Sequence, residues 1–206
     1  TLFRSAYLTR EQRRRVTIVA KQHAGNIPVM VCVGAVSTDI ILHLADDAQA
    51  AGADALLLPA VSYQPLRDEE VFSLFETVTR HVSVPVCIYD NPGTTHFAFT
   101  DELHGRLTSL EKVHSVKIPG VPDSPTAATE RVSALRRHLR LGVAIGVSGD
   151  AYAGLGLNAG CEVWYSVCGG LFPLMAKQIT EAAMAKDYEL VTTLTTRLEP
   201  LWALFR

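Results

Sequence analysis

Cysteine is scarce in this 206-residue chain: four residues, at positions 32, 87, 161 and 168, with no CxxC pair. That pattern excludes a zinc ribbon and a disulfide framework. Cys32 and Cys87 lie inside the apolar runs VMVCVG and VPVCIYD, where a thiol acts as a small hydrophobe in a reducing, cytoplasmic compartment. The seven histidines are scattered and show no metal-ligand spacing. No apolar run approaches the ~18 residues that a membrane span needs, and no signal peptide is visible. Charge of one sign is also lacking. A net charge of −2 gives no electrostatic reason to expect nucleic acid or a membrane surface as partner. The one basic cluster, Arg10, Arg13, Arg14 and Arg15, reads as a solvated helix face. The chain does not begin with Met, which leaves room for sequence upstream.

What is present is a soluble globular composition, 48% hydrophobic and 19% charged, in a chain long enough for one sizeable core. Short apolar runs alternate with amphipathic stretches. The runs are 28–34, 53–59, 84–90, 113–119, 141–150 and 162–168, and their starts fall 21 to 31 residues apart. Nearly continuous apolar runs at that spacing predict parallel strands buried on both faces, each followed by a helix. Thr9 with Gln12 predicts a capping box. Ile41, Leu44, Ala45 and Ala48 recur at helical spacing, as do Val71, Leu74, Phe75 and Val78. Pro173 suits a first helical turn, and 188–205 reads as one further amphipathic helix. Six strands fit either an open doubly wound sheet or part of a barrel, since a complete eight-stranded barrel takes about 250 residues. The open nucleotide-binding sheet lacks support, because no GxGxxG or GxxxxGK[ST] follows any run.

Two residues carry the candidate chemistry. Lys117, in VHSVKIPG, lies inside an apolar strand, where an ammonium is costly. Either it snorkels to solvent at the strand end, or desolvation frees its amine to attack a carbonyl. Tyr89, in CIYDNPGTT, either packs in the core or exchanges protons with a reacting group. The two lie 28 residues apart, one strand–helix unit, which places them on adjacent strands at the same end. Catalytic groups of barrels project from that end.

The Tyr-x-x-Pro-x-x-Thr element formed by Tyr89, Pro92 and Thr95, followed one unit later by a strand ending in Lys117, resembles the dihydrodipicolinate synthase and N-acetylneuraminate lyase family. Ser148-Gly149-Asp150 matches as well, and the likeness runs from Tyr7-Leu8 to Phe205. The resemblance implies an α/β fold, a (β/α)₈ TIM barrel lacking its first two strands, in a single domain over 1–206 that holds strands 3 to 8 and a C-terminal helical extension at 188–205. It implies a Schiff-base lyase, aldolase or dehydratase acting on pyruvate or another small 2-oxo acid. No metal or external cofactor is needed, because the substrate is held as a covalent imine on Lys117. Tyr89 would shuttle a proton, relayed by Thr1 and by Tyr63 from a second copy of a homodimer or homotetramer. Thr94, Thr95, Gly149 and Tyr165 would contact substrate. Two features depart from the pattern. Leu2, Phe3 and Arg4 stand where the family binds the pyruvate carboxylate, which leaves a catalytically silent, ligand-binding member as the alternative. Thr94 stands where dihydrodipicolinate synthases place an arginine, which argues against a role in lysine biosynthesis. Tyr165 reads either as a cavity residue or as core packing.

Overall fold

A computed structural model describes residues 5–205. Its elements alternate through most of the chain. Helix α1 (Arg10–Ala24) precedes β1 (Met30–Cys32), and α2 (Thr38–Ala50) leads to β2 (Ala55–Pro59). Helix α3 (Asp68–His81) leads to β3 (Val86–Tyr89), and the short α4 (Pro92–Thr95) and α5 (Asp101–Thr108) lead to β4 (Val113–Ile118). Helix α6 (Pro125–His138) precedes β5 (Ala144–Ser148), and α7 (Ala153–Asn158) precedes β6 (Val163–Tyr165). Helices α8 (Pro173–Met184), α9 (Tyr188–Thr196) and α10 (Glu199–Trp202) follow. The strand order is consecutive, β1 to β6, as in a barrel wall, whereas a doubly wound sheet reverses its order part-way. Residue contacts gather into two compact units.

The first unit runs through Val116 and takes in Leu139–Val143. Its parallel register pairs Met30 with Ala55 and Leu56 with Val86. Strand β3 is buried at all four positions, and Leu56 and Leu58 of β2 are fully buried, as continuous apolar runs require. Ile41, Leu44, Ala45 and Ala48 form the buried stripe of α2. Val71, Phe75 and Val78 do so on α3, with Leu74 only half-buried beside them. The capping box on α1 forms: Gln12 N donates to Thr9 Oγ1 and Thr9 N donates to Gln12 Oε1. The arginine cluster is not uniformly solvated. Arg13 folds back so that its guanidinium donates to the carbonyls of Gly34 (3.1 Å) and Cys32 (2.8 Å) at and just past the end of β1.

The second unit holds Lys117–His138 and the chain from Ala144 onward. Strands β5 and β6 pair in parallel with Ser148 opposite Tyr165. Leu157, Ile179, Ala182, Val191 and Leu194 close a helical core with Trp164 packed against it. Here the strands are shorter than their apolar runs. The run at 141–150 begins with a turn in which Leu141 is 96% exposed, so β5 starts at Ala144. The run at 162–168 ends early because Cys168–Gly170 turns into a 3₁₀ helix. The expected single helix over 188–205 is also broken: α9 ends at Thr196 and a new turn starts at Glu199. Pro200 has no N–H for the Thr196 carbonyl and its ring would clash there, so the first helix stops and Pro200 enters the first turn of the next.

Gly146 of β5 exists for a close approach. A Cβ there would lie 2.3 Å from Cε2 of Tyr165 on the neighbouring strand. Gly146→Ala should cost about 1–3 kcal/mol by overpacking, read from urea unfolding midpoints. Adding Tyr165→Leu should restore most of the loss; an unchanged midpoint in the single variant would show that the ring is not held over the glycine.

Candidate active site

Tyr89 ends β3 with its side chain fully buried. Removal from water pushes its phenol above the ordinary value, while hydrogen bonds with Asn91 and Thr94 pull it back. The Asn91 amide Nδ2 donates to Tyr89 Oη at 3.1 Å. Thr95 is buried and locally committed: its Oγ1 donates to the Asn91 carbonyl at 3.2 Å and accepts from Phe97 N at 3.4 Å. Thr94 is exposed instead and lines a cavity of about 510 Å³ together with Thr95, Arg13, Cys32, Pro59 and Val61. This cavity opens where β1 and β2 end. Burial lowers the pKa of Arg13 from its ordinary value, and the Cys32 thiol is raised, chiefly by burial.

In the second unit, Lys117 is the penultimate residue of β4 and is half-buried. The carbonyl of the next residue, Ile118, accepts from Ser148 Oγ at 2.8 Å, which ties the lysine's strand end to the end of β5. Gly149 follows at φ +80°, a conformation that side-chain-bearing residues seldom adopt. It turns the chain so that Asp150 faces the end of β6. One Asp150 oxygen accepts from Trp164 Nε1 (3.1 Å), Ser166 Oγ (3.0 Å) and Val167 N (3.1 Å), and the other accepts from Cys168 N (2.7 Å). Tyr165 is half-buried, with its ring over Gly146, so packing accounts for part of its surface.

The structure therefore brings Tyr89, Thr94 and Thr95 into one neighbourhood, and Lys117, Gly149 and Tyr165 each stand at or just past a strand end of the second unit. Tyr63 lies in the loop after β2 and is 90% exposed, so it does not line the cavity. Thr1 lies outside the described residues. Sequence reasoning missed Asn91, Arg13 and Asp150 as site-shaping residues, and also a buried pair, His104 Nε2 and Asp90 Oδ2 at 3.5 Å. The signals were slight: a polar Asn–Pro junction after the tyrosine, and an acid after a strand-end glycine. Among the described residues no group of three His, Cys, Asp or Glu is placed to hold a metal, and no helix is long and apolar enough to cross a membrane.

Comparison with known proteins shows the family and the fold. Residues 5–205 match the Dihydrodipicolinate synthetase family. The chain is similar to 4-hydroxy-tetrahydrodipicolinate synthases of Bartonella bacilliformis and Brucella abortus. It is 32% identical to each over 195 residues, covering 93% of this chain and 63% and 64% of theirs. It thus spans somewhat less than two thirds of these curated relatives. Among solved structures, dihydrodipicolinate synthase from Agrobacterium tumefaciens superposes with a TM-score of 0.92 at 42% identity, over 98% of this chain and 67% of that one. The enzyme from Aquifex aeolicus shares the fold with a TM-score of 0.87 at 22% identity.

The Asp150 carboxylate yields a direct test of the β5–β6 end. Asp150→Ala leaves the Trp164 indole and the Val167 and Cys168 amides without their acceptor. Such unsatisfied donors should cost about 2–3 kcal/mol, visible as a lowered thermal midpoint and altered Trp164 fluorescence. Stability equal to the unsubstituted protein would mean that the four bonds are individually dispensable.

Proposed function

Because the chain belongs to the dihydrodipicolinate synthetase family, we propose that it carries the Schiff-base half of a lyase, aldolase or dehydratase that acts on pyruvate or another small 2-oxo acid. The observation that carries the proposal is a half-buried lysine at the penultimate position of β4, in a chain whose preceding strand ends in a fully buried tyrosine. The Lys117 amine attacks the ketone carbon of the 2-oxo acid to give a carbinolamine. Tyr89 protonates the departing hydroxyl, water leaves, and a protonated imine remains. The phenolate of Tyr89 then takes a proton from the adjacent carbon, and the resulting enamine is the carbon nucleophile. The reaction needs no metal or external cofactor. Thr94, Thr95, Gly149 and Tyr165 are the proposed substrate contacts. Tyr63, exposed in its loop, is proposed to serve a second copy of the chain in a homodimer or homotetramer.

Several features support Lys117 over the other lysines. Lys21 donates to Asp54 at 2.6 Å on the surface, and Lys177 pairs with Glu181 on α8. Lys112 and Lys186 lie outside the strands. Treatment with pyruvate and borohydride should attach one pyruvyl group to the full-length protein, and Lys117→Ala should abolish the attachment while leaving the circular dichroism unchanged. Labelling that persists in the variant would assign the wrong lysine; no labelling of either protein would leave a ligand-binding member of the family.

The second substrate follows from Thr94. The relatives named above are 4-hydroxy-tetrahydrodipicolinate synthases, but Thr94 offers a hydroxyl where a bidentate cation would hold a second carboxylate, the nearby His96 is exposed, and Arg13, the cation that lines the same cavity, is engaged by the Gly34 and Cys32 carbonyls. A carboxylate buried without a cation costs several kcal/mol, and each ~1.4 kcal/mol is about tenfold in rate. We expect neutral or hydroxylated aldehydes to condense with pyruvate at least about 100-fold more efficiently than aspartate semialdehyde. Equal or better kcat/KM for aspartate semialdehyde would refute this specificity.

A further inference from the structure

We propose that Asn91 is a positioning residue for the acid–base tyrosine: its side-chain amide holds the Tyr89 phenol oxygen by donation, in place of capping the helix that it precedes. The inference rests on the Schiff-base reading and extends it.

Asn91 stands directly before α4, where an asparagine side chain ordinarily accepts a hydrogen bond from a free amide of the first turn. Here it makes no such cap. The backbone does that work: the Asn91 carbonyl accepts from Thr94 N at 2.9 Å and from Thr95 N at 3.0 Å. The side chain is thereby released and reaches back two residues, with Nδ2 3.1 Å from Tyr89 Oη. Asn91 adopts φ −155° and ψ 84°, outside both helical and regular strand values, which suits this reversal.

The neighbouring residue, Asp90, lies just past the end of β3 and meets α5. Asp90 is 6% exposed, and its Oδ2 lies 3.5 Å from Nε2 of the fully buried His104 on α5. The His104 ring is in turn stacked on Phe99 at 5.1 Å between centroids. The residue after the tyrosine thus lies against a buried histidine of α5, while the next side chain reaches the phenol.

The chemistry of the contact is directional. An amide N–H donates and does not ionise, so Asn91 accepts no proton from Tyr89 and relays none. It occupies a lone pair of the phenol oxygen, which turns the hydroxyl hydrogen toward a different acceptor and stabilises the phenolate when that hydrogen has gone. Asn91 therefore acts on the rate at which Tyr89 gives up and regains its proton, both as the carbinolamine hydroxyl leaves and at carbon, and not on the amount of imine held at equilibrium.

The test separates that rate from the amount of imine in the full-length protein. Borohydride added after the protein has equilibrated with pyruvate reads the amount of imine, and the rate of exchange of the pyruvate methyl protons with D₂O, followed by proton NMR, reads transfer to and from Tyr89. Asn91→Leu keeps the approximate size and removes the donor. Asn91→Asp keeps the shape and places a negative acceptor against the phenol oxygen. Trapping should stay within about twofold in both variants, while exchange falls about 10- to 100-fold in Asn91→Leu and further in Asn91→Asp. Exchange equal to the unsubstituted protein in either variant overturns the assignment and leaves the Schiff-base reading intact. Parallel loss of trapping and exchange also overturns it, because that pattern marks general damage to the pocket. Absence of trapping in the unsubstituted protein overturns the Schiff-base reading and this assignment together.

Discussion

A parallel strand covered on both faces can hold a polar side chain only near its ends, because a mid-strand polar group would meet apolar neighbours above and below. Strands β2 and β3 obey this rule closely. Leu56, Leu58, Val86, Cys87 and Ile88 fill their lengths and are essentially without exposure. The polar groups then collect where the strands stop: the Tyr89 phenol and Asp90 after β3, Lys117 one residue before the end of β4, Ser148 at the end of β5 with Asp150 beyond it. The candidate chemistry is a consequence of that constraint. Tyr89, Asp90 and Ser148 are buried, while Lys117 and Asp150 are half-buried, so these polar groups lie between the core and the loops that follow the strands.

The same constraint explains why the strands and the two central residues were legible in the sequence. Continuous apolar runs at 21- to 31-residue spacing mark covered strands, and a lysine or tyrosine near the end of such a run stands out by contrast. Local caps were legible too, as Thr9 with Gln12 shows. What escaped depends on partners distant in sequence or on competition between neighbours. Arg13 resembles Arg10 and Arg14 in sequence, yet it is Arg13 that meets the carbonyls of Cys32 and Gly34 at the end of β1, 19 and 21 residues away, while Arg10 pairs with Asp47 and Arg14 with Glu11. Asp150 gains its four donors from residues 164 to 168. Nothing local announces that His104, on an otherwise apolar helix face, meets Asp90. The break at Pro200 was a different kind of miss: the residue was visible, and its missing N–H and its ring divide the helix.

Asp150 and Arg13 share a structural logic. Each places a charged side chain beyond a strand end, where main-chain groups have run out of sheet partners. Arg13 donates to carbonyls at and past the end of β1, and Asp150 accepts from amides past β6. Charge-assisted bonds of this kind are stronger than neutral ones, and they engage the loop that follows each strand. At Asn91 the main chain does similar work, its carbonyl accepting from Thr94 N and Thr95 N.

Burial of Tyr89 poses a question about its chemistry, since a phenol pushed above its ordinary value is protonated near neutral pH and is a poor base at rest. The proposed reaction sequence removes the difficulty. The first demand on the tyrosine is for an acid, when the carbinolamine hydroxyl must leave as water, and a protonated phenol supplies it. The phenolate appears only once that proton has gone. It then meets the second demand, a base for the proton next to the imine carbon. The proton balance over the two steps is zero, so the tyrosine is never required to ionise into solvent. Within that cycle the high resting pKa keeps the acid form available, and the Asn91 amide lowers the cost of the brief phenolate without capturing its proton.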